Sequence, residues 1–101
     1  MGIGMMRGSA ADDARMHQLA EKLFWWKGPD EALADQRRFL AQAMTLGNWE
    51  EMAFVRSVYG DDALRAVLAD APPGVFDRRS WSYWHARFGI TPVPQLPRRR
   101  L

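Results

Sequence analysis

Glycine and proline act as punctuation in this chain. Gly28-Pro29, Gly47, Gly60, Pro72-Pro73-Gly74 and Gly89 cut the 101 residues into pieces about as long as an ordinary globular helix. Between the cuts, apolar residues recur at helical spacing. Met16, Leu19, Ala20 and Leu23 form one stripe of a helix predicted from Asp12 to Trp25, with Asp12 and Asp13 at its positive dipole end. A second helix is predicted from Asp30 to Leu46, with Leu33, Leu40, Ala43 and Met44 on one face and Phe39 beside them. Asn48, with Glu51 three residues on, reads as a capping box opening a third helix, whose apolar side is Trp49, Met52, Val55 and Tyr59. Asp61 or Asp62 opens a fourth, with Leu64, Val67, Leu68 and Ala71 in register. Ser80 is the expected cap of a fifth, in which Trp81, Trp84, His85 and Phe88 share a face.

No stretch alternates apolar and polar residues with the β-branched content of a strand. The expected fold is therefore all-α, a compact bundle of about five short helices with a Pro/Arg-rich C-terminal tail. Residues 10–90 are expected to form a single helical domain, residues 1–9 a disordered leader, and residues 91–101 an extended basic tail. The hydrophobic share of 48%, with five Trp, five Phe and two Tyr, is enough to support a packed core at this length.

Cysteine is absent, which removes disulfides, Cys-based zinc sites and a Cys nucleophile. No apolar run approaches the ~20 residues of a membrane span. A bacterial, cytoplasmic protein is the expectation.

The net charge of +2 conceals an asymmetry. Residues 1–77 carry eight Lys/Arg against twelve Asp/Glu, whereas residues 78–101 carry six Arg and no acid. Such an end can meet phosphates or an acidic protein surface, or simply be solvated.

Catalytic chemistry finds little support. The two histidines, His17 and His85, lie in no HxxxH or HxxE arrangement, and no phosphate-binding glycine loop is present. His85 falls on an aromatic helix face, where a packed histidine is expected. The acid pairs Asp12-Asp13, Glu50-Glu51 and Asp61-Asp62 all stand where helices begin, and neighbouring helical residues diverge by about 100°. Capping accounts for them. No enzymatic activity, cofactor or metal is expected.

Binding is better supported. Phe24-Trp25-Trp26 cannot place three consecutive rings in one core, so at least one must face a loop-packed pocket or a partner. DNA is a second candidate partner. Only the fifth helix, through Arg78, Arg79, Ser82 and Arg87, has the electrostatics of a groove reader.

The order Leu23-Phe24-Trp25, Arg38-Phe39-Leu40, Gly47-Asn48-Trp49-Glu50-Glu51, Tyr59-Gly60, Leu64-Arg65-Ala66-Val67-Leu68, Ser80, Trp84 and Phe88-Gly89 resembles a family of small all-helical bacterial proteins. Members of that family are encoded beside nucleotidyltransferase toxins of the abortive-infection type. The resemblance spans residues 23–89, and it departs at Trp26, where the family tends to carry an acid. It implies an antitoxin-like role: binding and restraining a nucleotidyltransferase toxin. The residues expected to meet a partner are Phe24, Trp25, Trp26, Arg78, Arg79, Arg87, Arg98, Arg99 and Arg100. A small DNA-binding regulator using the fifth helix and tail is the alternative, and a homodimer closed by Trp25 and Trp26 is a third possibility.

Overall fold

The computed structural model describes residues 10–97. The expected leader and the tail residues Arg98, Arg99 and Arg100 lie outside the described residues. The described chain is all-helical: α1 (Ala10–Leu23), α2 (Pro29–Ala34), α3 (Gln36–Leu46), α4 (Trp49–Tyr59), α5 (Asp61–Ala69) and α6 (Arg78–Arg87). None of these helices is long and apolar enough to cross a membrane.

The predicted second helix is two helices. Asp35 leaves helical geometry (φ −99°, ψ 80°) and its side chain accepts a hydrogen bond from the Arg38 N–H, so it caps α3 and interrupts the run. An Asp in mid-helix offers the backbone this competing bond, which hydrophobic spacing does not reveal. The first helix also ends earlier than expected. Lys27 N–H bonds back to the Phe24 carbonyl, so Trp25 and Trp26 sit in a turn after α1. The cap of α6 is Asp77, whose carboxylate accepts from the Ser80 N–H at 2.7 Å. Ser80 therefore lies inside the first turn of α6 and is not its cap.

α3 is the axle of the bundle, and it packs against each of the other five helices. Phe39, Leu40, Ala41 and Ala43 on it have no exposed surface, and Met44 is also buried. The stripe of α1 (Met16, Leu19, Ala20, Leu23) is buried as predicted, and so are Leu64, Val67 and Leu68 of α5, whereas Ala71, expected in the same stripe, lies beyond the end of α5 and is half-buried. From α6, Trp81 and Trp84 enter the same core. The Trp84 indole N–H donates to the Met44 carbonyl at 2.8 Å, supplying a partner near the C-terminal end of α3, where carbonyls run out of intrahelical donors. His85 is buried beside them. Its Nδ1 lies 2.7 Å from the Trp81 carbonyl and its ring meets the Trp81 ring edge-on.

The junctions are fixed by local chemistry. The Asn48 side chain accepts from the Glu51 N–H, and the Glu51 carboxylate accepts from the Asn48 N–H, completing the predicted capping box. Gly47, just before it, is required for space. A Cβ there would lie 2.7 Å from the Ala43 carbonyl oxygen, a backbone atom that cannot swing aside. Gly89 ends α6 at φ 67°, with Gly89 and Ile90 N–H groups bonding to the Ala86 and His85 carbonyls.

Beyond α6 the described chain is irregular, and it is fastened to the domain. The Trp81 indole N–H donates to the Pro94 carbonyl at 2.7 Å, and the Gly74 N–H donates to the Pro97 carbonyl.

Two substitutions test these junctions. Asn48→Ala is expected to cost about 1 kcal/mol through loss of the cap. Gly47→Ala is expected to cost about 1–3 kcal/mol by forcing α3 and α4 apart. Both are read from chemical denaturation midpoints.

Candidate functional site

In two of the acid pairs the neighbours have different surroundings. Asp61 takes both ends of the Arg56 guanidinium at 2.7 and 2.9 Å, and Asp62 pairs with Arg65. The Arg56 hydrogen bonds hold the Asp61 carboxyl below the usual carboxylate range. Glu51 caps α4 and binds Lys22 of α1 at 2.6 Å, while Glu50 points to solvent. Burial pushes the Glu51 carboxyl up, but the Lys22 and Asn48 bonds together outweigh it and leave its pKa lowered. Among the described residues, no three His, Asp or Glu side chains gather to hold a metal ion.

His17 is more specific than the sequence suggests. Its Nδ1 lies 2.8 Å from the Asp13 carbonyl and its Nε2 lies 2.7 Å from the Asp30 carboxylate. Both neighbours are acceptors, so only the imidazolium, with two N–H donors, satisfies both. The Asp13 carbonyl, and then the Asp30 carboxylate, raise its pKa above 6.5. The interaction joins α1 to α2 at the surface.

Several large aromatic residues are exposed. Phe24 is buried, but Trp25 is 81% exposed and Trp26 is 55% exposed. The Trp26 ring leans on Phe24, with 5.3 Å between centroids, and lines a cleft of about 330 Å³ with Arg38, Leu46, Gly74 and Val75. Leu46, the last residue of α3, is itself 57% exposed.

A second aromatic site was hidden from the sequence. Trp49 was expected on the buried side of its helix and is instead 78% exposed. It is the first residue of α4, and α3 ends just before it, so its ring meets only the edge of Tyr83 at 6.0 Å. The buried face of α4 is Met52, Phe54 and Val55, and the Arg15 guanidinium covers the Phe54 ring. Trp49's position immediately after a strong cap was the available signal, because a first-turn side chain can overhang the end of its neighbour.

Trp49 and Tyr83 stand over a groove of about 530 Å³ between α4 and α6. Its floor includes Met44, Met52 and Trp84, and Arg56, Arg79 and Arg87 line it together with Asp77. Arg79 and Arg87 have no ion pair among the described residues, and Asp77 is engaged as the cap of α6. Arg78 is exposed but does not line the groove. Thr45 lines both the groove and the Trp26 cleft, so the two aromatic sites are neighbours around the C-terminal end of α3. Of the expected partner residues, then, Trp26, Arg79 and Arg87 are brought to adjoining clefts. Trp25 extends the Trp26 corner by an edge contact at 5.7 Å, and Phe24 serves the core.

No protein-family model matches the chain, and no curated protein or solved structure matches it.

Two measurements check this geometry. The His17 pKa, followed by NMR, is expected above 6.5. Because the folded value is the raised one, its stabilisation is full below pH 6.5 and fades as pH rises through the raised value. His17→Gln should flatten that slope. Trp25→Ala should change stability by less than about 0.5 kcal/mol, since its ring lies outside the core.

Proposed function

We propose that this chain is a non-enzymatic protein-binding module whose partner face is the exposed aromatic surface around the end of α3. One observation carries this reading. Three tryptophans and a leucine, Trp25, Trp26, Leu46 and Trp49, are left largely in water beside two adjoining clefts, whereas Phe24, Phe39, Leu40, Leu64, Trp81 and Trp84 are buried. Trp and Tyr exposed at a cleft rimmed by arginine have the composition of interface anchors. On the strength of the sequence resemblance, the partner we propose is a nucleotidyltransferase toxin, which this chain would restrain as an antitoxin.

DNA recognition by α6 is the weaker reading. Trp81, Trp84 and His85 of that helix are committed to the core, and Arg79 and Arg87 look into a groove that also holds Asp77.

The test is co-expression with the product of the adjacent nucleotidyltransferase gene. A complex that co-purifies and restores growth is expected, and Trp25→Ala with Trp26→Ala should weaken it by at least tenfold. Absence of both the complex and the rescue removes the antitoxin reading. Light scattering on the isolated chain separates self-association: a dimer lost in the same double variant would assign the aromatic corner to a second copy. A promoter-DNA mobility shift that weakens steeply with salt would favour the regulator instead.

A further inference from the structure

The groove between α4 and α6 has a chemistry distinct from the aromatic corner, and that chemistry selects an occupant. Arg79, Tyr83 and Arg87 follow one another at i, i+4 and i+8 along α6 and so form one stripe. Both arginines line the groove, separated by about 12 Å along the helix at ~1.5 Å per residue. Tyr83 stands between them, and Trp49 approaches it edge-on from α4. The groove is thus lined by two arginines, about two helical turns apart along the backbone and without an ion pair among the described residues, with aromatic residues between them; Arg87 also feels the charge of Asp61.

We infer that this groove binds an acidic peptide segment of a partner protein, in which an apolar side chain is flanked by two carboxylates about 12 Å apart. The inference rests on the protein-binding reading and names the partner's chemistry at this site. On a helical partner the spacing corresponds to acids at i and i+8 with the apolar residue at i+4. On an extended one the acids lie roughly four residues apart, at ~3.3 Å each. The apolar side chain enters between Trp49 and Tyr83, and each carboxylate receives paired N–H bonds from a guanidinium. Asp77 also lines the groove, where its carboxylate accepts the Ser80 N–H as the cap of α6, so the occupant places its acids at Arg79 and Arg87 and not beside Asp77. Arg56, also in the wall, is already neutralised by Asp61.

A single-stranded nucleic acid is the competing occupant, and the observations favour it less. Such strands track a continuous row of cations with bases stacked on open ring faces. Here, among the described residues, only two arginines without an ion pair line the groove, and the Trp49–Tyr83 pair is T-shaped at 80° and does not offer two parallel ring faces.

The experiment is selection of a displayed library of random 16-residue peptides on the wild-type chain, followed by fluorescence anisotropy of recovered peptides. The expected result is enrichment of sequences with two acids bracketing an apolar residue. Their affinity should fall at least tenfold in R79Q/R87Q and in W49A/Y83A, and fall again as salt rises. Neither arginine is in the core, so circular dichroism and melting should match wild type for R79Q/R87Q, and a charge-reversed peptide should bind R79E/R87E. Failure to enrich any peptide, recovery of uncharged peptides that bind R79Q/R87Q equally well, or displacement of the peptide by a labelled oligo-dT 12-mer at lower concentration would each overturn the assignment. The two readings separate cleanly. A toxin complex that survives R79E/R87E but not Trp25→Ala with Trp26→Ala keeps the module and removes this groove. Acidic peptides bound through Arg79 and Arg87 without any toxin complex keep the groove and remove the antitoxin role.

Discussion

Everything in this bundle hangs on the burial of α3. Its residues Phe39, Leu40, Ala41 and Ala43 are wholly enclosed, and every other helix lies against it. A helix of 11 residues has little stability of its own, so its helicity depends on this enclosure. Its ends need as much attention as its sides. Asp35 caps the start, the Trp84 indole serves the Met44 carbonyl near the finish, and Gly47 lets α4 leave without a steric clash. The exposed aromatic residues are what remains where this central helix runs out. Beyond Leu46 no further turn of α3 covers Trp49 or the Trp26 corner.

That arrangement explains which parts of the fold were legible in the sequence. Stripes at helical spacing were, because burial against α3 selects them directly: Met16 to Leu23 in α1 and Leu64 to Leu68 in α5 went to the core as read. The capping box at Asn48 was legible because both of its bonds are local. The break at Asp35 was not, since an aspartate in a helical run is as often a solvent-facing side chain as a cap, and only its backbone geometry decides. Ser80 and Asp77 are both good capping residues three positions apart, and the choice between them turned on which one adopted extended geometry.

The site was legible in outline and not in composition. Three consecutive aromatic residues could not share one core, so at least one exposed ring was legible at Phe24-Trp25-Trp26, but which of them leave the core was not. Trp49 fits an apolar stripe equally well and lies outside it only because its neighbour helix stops short, a tertiary fact that local spacing does not encode. Arg79 and Arg87 stood out by charge. Their relation to Tyr83 is periodic and was present in the sequence, but the facing ring of Trp49 comes from another helix. The His17–Asp30 contact joins residues 13 positions apart across a turn, and no spacing rule signals it.

The five tryptophans fall into two populations, and this makes the protein report on itself. Trp81 and Trp84 are sealed in the core with their indole N–H groups bound to carbonyls, whereas Trp25, Trp26 and Trp49 meet water. Their emission therefore has a blue component that follows unfolding and a red, quencher-accessible component that follows occupation of the surface. One unlabelled spectrum then distinguishes a partner that docks on the folded bundle from one that opens it.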